Sequence, residues 1–229
     1  AVFRPDWSKT FPMAKAARMC VRGCSEGGCA EGCFTGLMSL LPTDHLLPKT
    51  EFGYCHAPHC KKANLYRMGT ASPDDVFVCS YPKSGTNWLK QIVHLILIRA
   101  DASQLQAEAA TDLCDICPYV EADSDVDYAS MPRPRAFHTH VRYEDVPKGG
   151  RIIYIMRDLP DVAYSLWSFT MSFPNMKLPL KPDHMLDGIM IGESFGGPYD
   201  AHVRSFWEAR HDPNVLIVKY EDLKEDLRG

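Results

Sequence analysis

Short unbroken apolar runs alternate with longer helical patterns through the second half of this chain. Val76-Phe77-Val78-Cys79 follows the turn Pro73-Asp74-Asp75 and is apolar throughout, the pattern of a strand buried on both faces of a parallel sheet. Trp88, Leu89, Ile92, Val93, Leu95, Ile96 and Leu97 then recur so densely that a helix through them is apolar nearly all round, which predicts packing against a sheet. A second unit begins with the β-branched and aromatic run Arg151–Met156. It passes through Arg157-Asp158-Leu159-Pro160 into a helical pattern from Asp161 to Phe169, with Pro160 suited to a first helical turn. A helical pattern from Tyr199 to Arg210 precedes a third run, Val215-Leu216-Ile217-Val218, and Glu221 to Arg228 reads as a charged helix. Strands alternating with helices predict an α/β fold: a single domain with a central parallel sheet flanked by helices. Ser172 to Gly197, with several Gly and Pro, reads as a long loop. Its Phe173, Met176, Met185, Met190 and Phe195 either line an apolar pocket or ride on the surface.

Residues 1–60 read differently, as an irregular Cys/Gly-rich extension, and the folded domain is assigned to 61–229. Cys20, Cys24, Cys29 and Cys33 are spaced C-x3-C-x4-C-x3-C, and Cys55, His56, His59 and Cys60 form a second knot. Zinc knuckles use C-x2-C pairs in tight turns, so this spacing is read as unligated thiols and no metal is expected. With nine cysteines in 229 residues the chain is too large for a disulfide scaffold, and reduced thiols in a cytoplasmic setting are the expectation.

Composition narrows the partners. With 45% hydrophobic and 24% charged residues, the chain is neither disordered nor a coiled coil. A formal charge of -4 gives no global basic field for nucleic acid or an anionic membrane, so an anionic ligand has to be caught locally. No run reaches the roughly 18 apolar residues that a membrane span needs. The chain opens on Ala1 and closes on Gly229 after a helical-looking stretch, and either end is expected to be cut.

A local catch is available between the first strand and its helix. A helix N-terminus offers unpaired N–H groups and a partial positive charge, and Lys83, Ser84, Gly85 and Thr86 stand there. Gly85 lets the backbone approach an anion, Ser84 and Thr86 add hydroxyls, and Lys83 brings a mobile charge able to follow charge developing on a leaving oxygen. The lysine precedes the glycine and the first glycine of G-x-x-x-x-G-K-[ST] is absent, which counts against a nucleoside-triphosphatase loop. The bland alternative is a Ser-Gly turn capping a buried helix.

The string Tyr81-Pro82-Lys83-Ser84-Gly85-Thr86-Asn87-Trp88 resembles the signature Y-P-K-S-G-T-x-W of the cytosolic-type sulfotransferases. Three further matches follow in order: His140 in Pro134-Arg135-Ala136-Phe137-His138-Thr139-His140, Arg157 and Ser165 eight residues apart, and Lys219-Tyr220-Glu221-Asp222-Leu223. The resemblance implies a sulfotransferase fold that binds 3′-phosphoadenosine 5′-phosphosulfate as co-substrate without a metal. Lys83, Ser84, Gly85, Thr86 and Asn87 would cradle its 5′ end, with Lys83 on the bridging oxygen, and Trp88 and Tyr220 would border the adenine. Arg157 and Ser165 would hold the 3′-phosphate, and His140 would act as general base on a small-molecule alcohol, phenol or amine. His138 departs from the pattern by standing where many members carry a second lysine that assists charge neutralisation, a role it could fill in part and with a pH dependence. The resemblance covers about residues 73–229, and the family's Arg-Lys-Gly element lies beyond it. The chain is therefore expected to be a fragment, or a shortened and catalytically impaired nucleotide-binding pseudoenzyme. A carbohydrate sulfotransferase of the Golgi, stripped of its anchor, fits the full signature less well. Acceptor identity and oligomeric state are left open.

Overall fold

The computed structural model describes residues 71–97, 116–121, 126–172, 180–192, 194 and 196–227. The Cys/Gly-rich extension and the metal question attached to it lie outside the described residues, as do Phe173, Met176 and Phe195.

Strand β1 (Val76–Ser80) leads into helix α1 (Thr86–Leu97), and strand β2 (Ala136–Thr139) follows. Next come β3 (Arg151–Met156), α2 (Leu159–Met171), α3 (Pro182–Met190), α4 (Tyr199–Glu208), β4 (Val215–Lys219) and α5 (Tyr220–Glu225). The strands form one sheet in the order β2-β1-β3-β4, every neighbouring pair parallel. β2 is the strand that the pattern of the chain does not announce. Ala136-Phe137-His138-Thr139 is short and half polar, and its complete burial comes from pairing with β1 rather than from a periodicity of its own. β4 lies at the outer end of the sheet, so its apolar run is only partly covered and Leu216 stays exposed.

Alternation along β1 sends its side chains to two cores. Phe77 and Cys79 pack with Phe137, Ile152, Tyr154 and Phe206 of α4. Val76 and Val78 face the other way, toward Leu89 and Val93 of α1 and Tyr220 of α5. Helices thus cover both faces. At the amino ends of β1 and β2, Arg135 grips Asp75 through Nε–Oδ1 (2.8 Å) and Nη2–Oδ2 (2.5 Å), with both side chains almost wholly buried.

The segment from Ser172 to Gly197 differs from the loop expected of it. α3 forms within it, and Met185 and Ile189 are fully buried against Tyr81, Val162 and Leu166, which makes Met185 core rather than pocket lining. Met190 is exposed. A helical spacing of i, i+4 underlies this packing, overridden in the sequence by flanking Gly and Pro. The closing helix is shorter than its charge pattern suggests and stops at Glu225.

Register aligns the carboxyl ends of the strands. Cys79 pairs with Thr139, Ser80 with Ile155 and Met156 with Lys219. Ser80, His140, Arg157 and Tyr220 consequently emerge at one edge. The chain runs from β1 to β2 on one side and then crosses to β3 on the other, so the crevice beside β1 is the topological switch point where α/β sheets bind ligands. Among the described residues no helix is long and apolar enough to cross a membrane, and no cluster of three or more metal-ligating side chains occurs.

Candidate active site

The bend after β1 is tight. Ser84 N–H donates to the Tyr81 carbonyl at 3.2 Å, and both Lys83 (φ 69°) and Gly85 (φ 106°) take left-handed backbone angles. That conformation is unfavourable for a lysine, of order 1 kcal/mol, and is held by the surrounding fold. Gly85 has no alternative, because a Cβ there would lie 2.7 Å from Cδ2 of Tyr220. The first α1 hydrogen bond runs from Leu89 N–H to the Gly85 carbonyl at 3.1 Å, leaving the preceding amides without a partner in the helix. Lys83 Nζ sits 4.0 Å above the Phe169 ring of α2. Asn87 is exposed.

Arg157 leaves the end of β3 and turns toward this bend. Its Nη1 donates to the Lys83 carbonyl at 3.3 Å, its Nη2 pairs with Asp161 at 3.2 Å, and its guanidinium carbon lies 4.3 Å from the centre of the Tyr220 ring. Tyr220 also meets Trp88 edge to face at 5.4 Å. Lys83, Gly85, Trp88, Arg157 and Tyr220 therefore gather round one spot. Ser165 is half-buried on α2, one turn beyond Asp161 on the same helical face. No hydrogen bond joins it to Arg157 among the described residues.

Two buried polar atoms in this group, Ser84 Oγ and Arg157 Nε, have no hydrogen-bond partner among the described residues. A hydroxyl and a guanidinium N–H left so, beside open helix amides, are donors suited to an anion that would accept from them. Neither atom would be satisfied by an apolar ligand.

His140 stands just past the last residue of β2. Its Nδ1 is 2.8 Å from the Ser80 carbonyl, which can only accept, so the ring proton is on Nδ1 and the lone pair on Nε2. Ser80 Oγ is 3.3 Å from the same nitrogen and 2.6 Å from Thr86 Oγ1, which ties the imidazole to the first turn of α1. The buried carboxylate of Glu121 accepts the His140 backbone N–H at 2.6 Å.

His138 behaves otherwise. It is buried within β2, its Nδ1 is 2.9 Å from the Cys117 carbonyl, and it stacks on Tyr119 at 4.7 Å. Burial, then the charge of Lys90 and the neighbouring His140, hold it well below its usual 6.5. It is thus neutral at physiological pH and does not contribute the partial positive charge expected of it. Lys90, almost fully buried on the sheet-facing side of α1, was invisible in an apolar helical pattern. Ser80 and Glu121 also escaped notice, since only strand pairing brings them to His140.

A family model described as a sulfotransferase domain matches residues 73–229. The chain belongs to the sulfotransferase family. Amine sulfotransferase of Oryctolagus cuniculus is 35% identical over 166 residues, covering 68% of this chain and 53% of that protein. Sulfotransferase 1E1 of Homo sapiens is 32% identical over 169 residues, covering 69% and 56%. The chain thus spans about half the length of these curated sulfotransferases. Among solved structures, mouse sulfotransferase SULT7A1 complexed with PAP matches with 28% identity and a TM-score of 0.60, over 80% of this chain and 64% of that one. Retinol dehydratase in complex with androsterone and inactive cofactor PAP matches with 26% identity and a TM-score of 0.59, over 72% and 59%. The α/β architecture with its parallel sheet is that of the family.

Proposed function

We propose that this crevice binds 3′-phosphoadenosine 5′-phosphosulfate and transfers its sulfuryl group to a hydroxyl or amine of a small-molecule acceptor. One observation carries the reading: Arg157 reaches the Lys83 carbonyl at 3.3 Å, so the grips assigned to the two ends of a doubly phosphorylated nucleotide share a crevice with His140. The PAP bound in two structural relatives supports the choice of nucleotide.

The Lys83-to-Trp88 turn and the α1 amides hold the 5′ end, Arg157 and Ser165 hold the 3′-phosphate, and Trp88 and Tyr220 flank the base. His140 Nε2 takes the proton as the acceptor oxygen or nitrogen bonds to sulfur. The bond from sulfur to the bridging oxygen breaks, and its electron pair stays on the departing phosphate, beside the Lys83 ammonium and the helix N-terminus. Adenosine 3′,5′-diphosphate and a sulfate ester or sulfamate result, with the proton on His140. Most of the catalysis is positioning and electrostatics.

A second reading, a nucleotide-binding protein without turnover, draws on the neutral state of His138, which leaves one cation fewer than the family pattern with a lysine there. Sulfate transfer from labelled co-substrate across phenols, alcohols and amines, run beside calorimetry with adenosine 3′,5′-diphosphate, separates the two. Binding with transfer supports the enzyme, binding alone supports the second reading, and absence of binding refutes both.

A further inference from the structure

We infer that the first turn of α4 is a positioning element that spaces the two working ends of the crevice, with Tyr199 fastening the backbone of Arg157 and His202 fastening the backbone of His140. This rests on the roles given to Arg157 and His140 above.

Arg157 and His140 each follow the last residue of a strand, so their carbonyls lie beyond the ladder that would otherwise bind them. Both residues are partly buried, and a carbonyl shielded from water needs a donor. Tyr199 OH donates to that of Arg157, and His202 Nε2 donates to that of His140 at 3.0 Å. The two donors are three residues apart on one helix and so face the same way. β2 and β3 are not neighbours, because β1 runs between them. The helical turn is the rigid piece spanning that gap.

The turn is itself braced. His202 is completely buried, and its Nδ1 accepts from Tyr154 OH at 3.1 Å, so the ring keeps its proton on Nε2, the nitrogen facing His140. Tyr81, two residues before Lys83, meets Tyr199 and His202 edge-on at 5.1 and 5.4 Å and donates to the Gly197 carbonyl at 2.8 Å. One short helix end is thereby in contact with the cradle, the arginine and the histidine.

The two clasps have separable consequences, which a merely structural role would not produce. Calorimetry on the 229-residue chain compares adenosine 3′,5′-diphosphate with adenosine 5′-phosphate, and nitrogen-15 spectra of the imidazoles read the tautomer of His140; neither measurement needs turnover. Tyr199→Phe is expected to lower the preference for the 3′-phosphate about fivefold and leave the His140 signals in place. His202→Leu is expected to leave that preference within about twofold and move the His140 signals toward a tautomer average, and His202→Gln, which retains a donor, restores them. Should His202→Leu fail to fold, His202→Asn, too short to reach the His140 carbonyl, carries the same expectation. Either clasp variant leaving its own end unchanged overturns the inference, as does equal damage to both ends by both. An Arg157→Ala chain that keeps full preference for the 3′-phosphate would instead sink the reading of the site itself.

Discussion

His140 and Ser80 are joined across neighbouring strands, the imidazole Nδ1 lying 2.8 Å from the Ser80 carbonyl oxygen. The bond orients the ring and fixes its tautomer, with the basic nitrogen on the other side of the ring from that carbonyl.

His140→Ala should therefore lower the rate of sulfuryl transfer by about 10²- to 10⁴-fold while changing the affinity for adenosine 3′,5′-diphosphate less than about threefold. Paired rate and calorimetric measurements check this. Parallel loss of rate and binding would mean that the imidazole is a scaffold, not a base.

Asp161 pairs with Arg157 at 3.2 Å from a largely exposed position. Its charge opposes a phosphate seated on the same guanidinium. Asp161→Asn should tighten binding of adenosine 3′,5′-diphosphate about two- to fivefold at low ionic strength, with the gain fading as salt rises. A variant that binds more weakly would show that the carboxylate orients the arginine instead.

Gly85 combines a left-handed φ of 106° with a contact that a Cβ would violate at 2.7 Å from Tyr220. Gly85→Ala should lower stability by roughly 1–3 kcal/mol in denaturant titration and weaken nucleotide binding by more than tenfold, because the bend itself has to move. Normal binding would remove the bend from the cradle.

Acid should destabilise the fold through two buried histidines. Burial brings His202 down to about 3, against the opposing effect of its hydrogen bond to the His140 carbonyl, and burial likewise depresses His138. On unfolding both return toward 6.5, so below that pH the unfolded chain binds protons that the folded chain refuses. Stability is complete above pH 6.5 and falls with pH toward the depressed values, by up to about 1.4 kcal/mol per pH unit for each histidine. Denaturation midpoints between pH 7.5 and 5 measure the slope, and His202→Gln should reduce it. A flat profile would show that the two rings are protonated inside the fold.

The strand–turn–helix at Val76 to Leu97 and the run Arg151–Met156 could be read from local pattern because each is apolar enough to demand burial on its own. β2 could not, since a four-residue strand containing His138 and Thr139 gains its burial only from a partner distant in sequence. Met185 was misjudged for a related reason: its burial depends on where α2 and Tyr81 lie, not on its immediate neighbours. Of the site, the charged and glycine-bearing motif positions were legible, whereas Ser80, Glu121, Tyr199 and His202 have no distinguishing spacing.

The amino-acid sequence by itself determined the strands and helices whose apolar runs demand burial, and which residue types are offered for chemistry, because apolar periodicity and the glycine and lysine of the bend act locally. Tertiary structure alone decided that Arg157 reaches Lys83, that His138 is neutral, and that His140 is held by Ser80, Glu121 and His202. Those outcomes follow from parallel register and burial, which bring together groups dozens of residues apart and set the dielectric in which each one titrates.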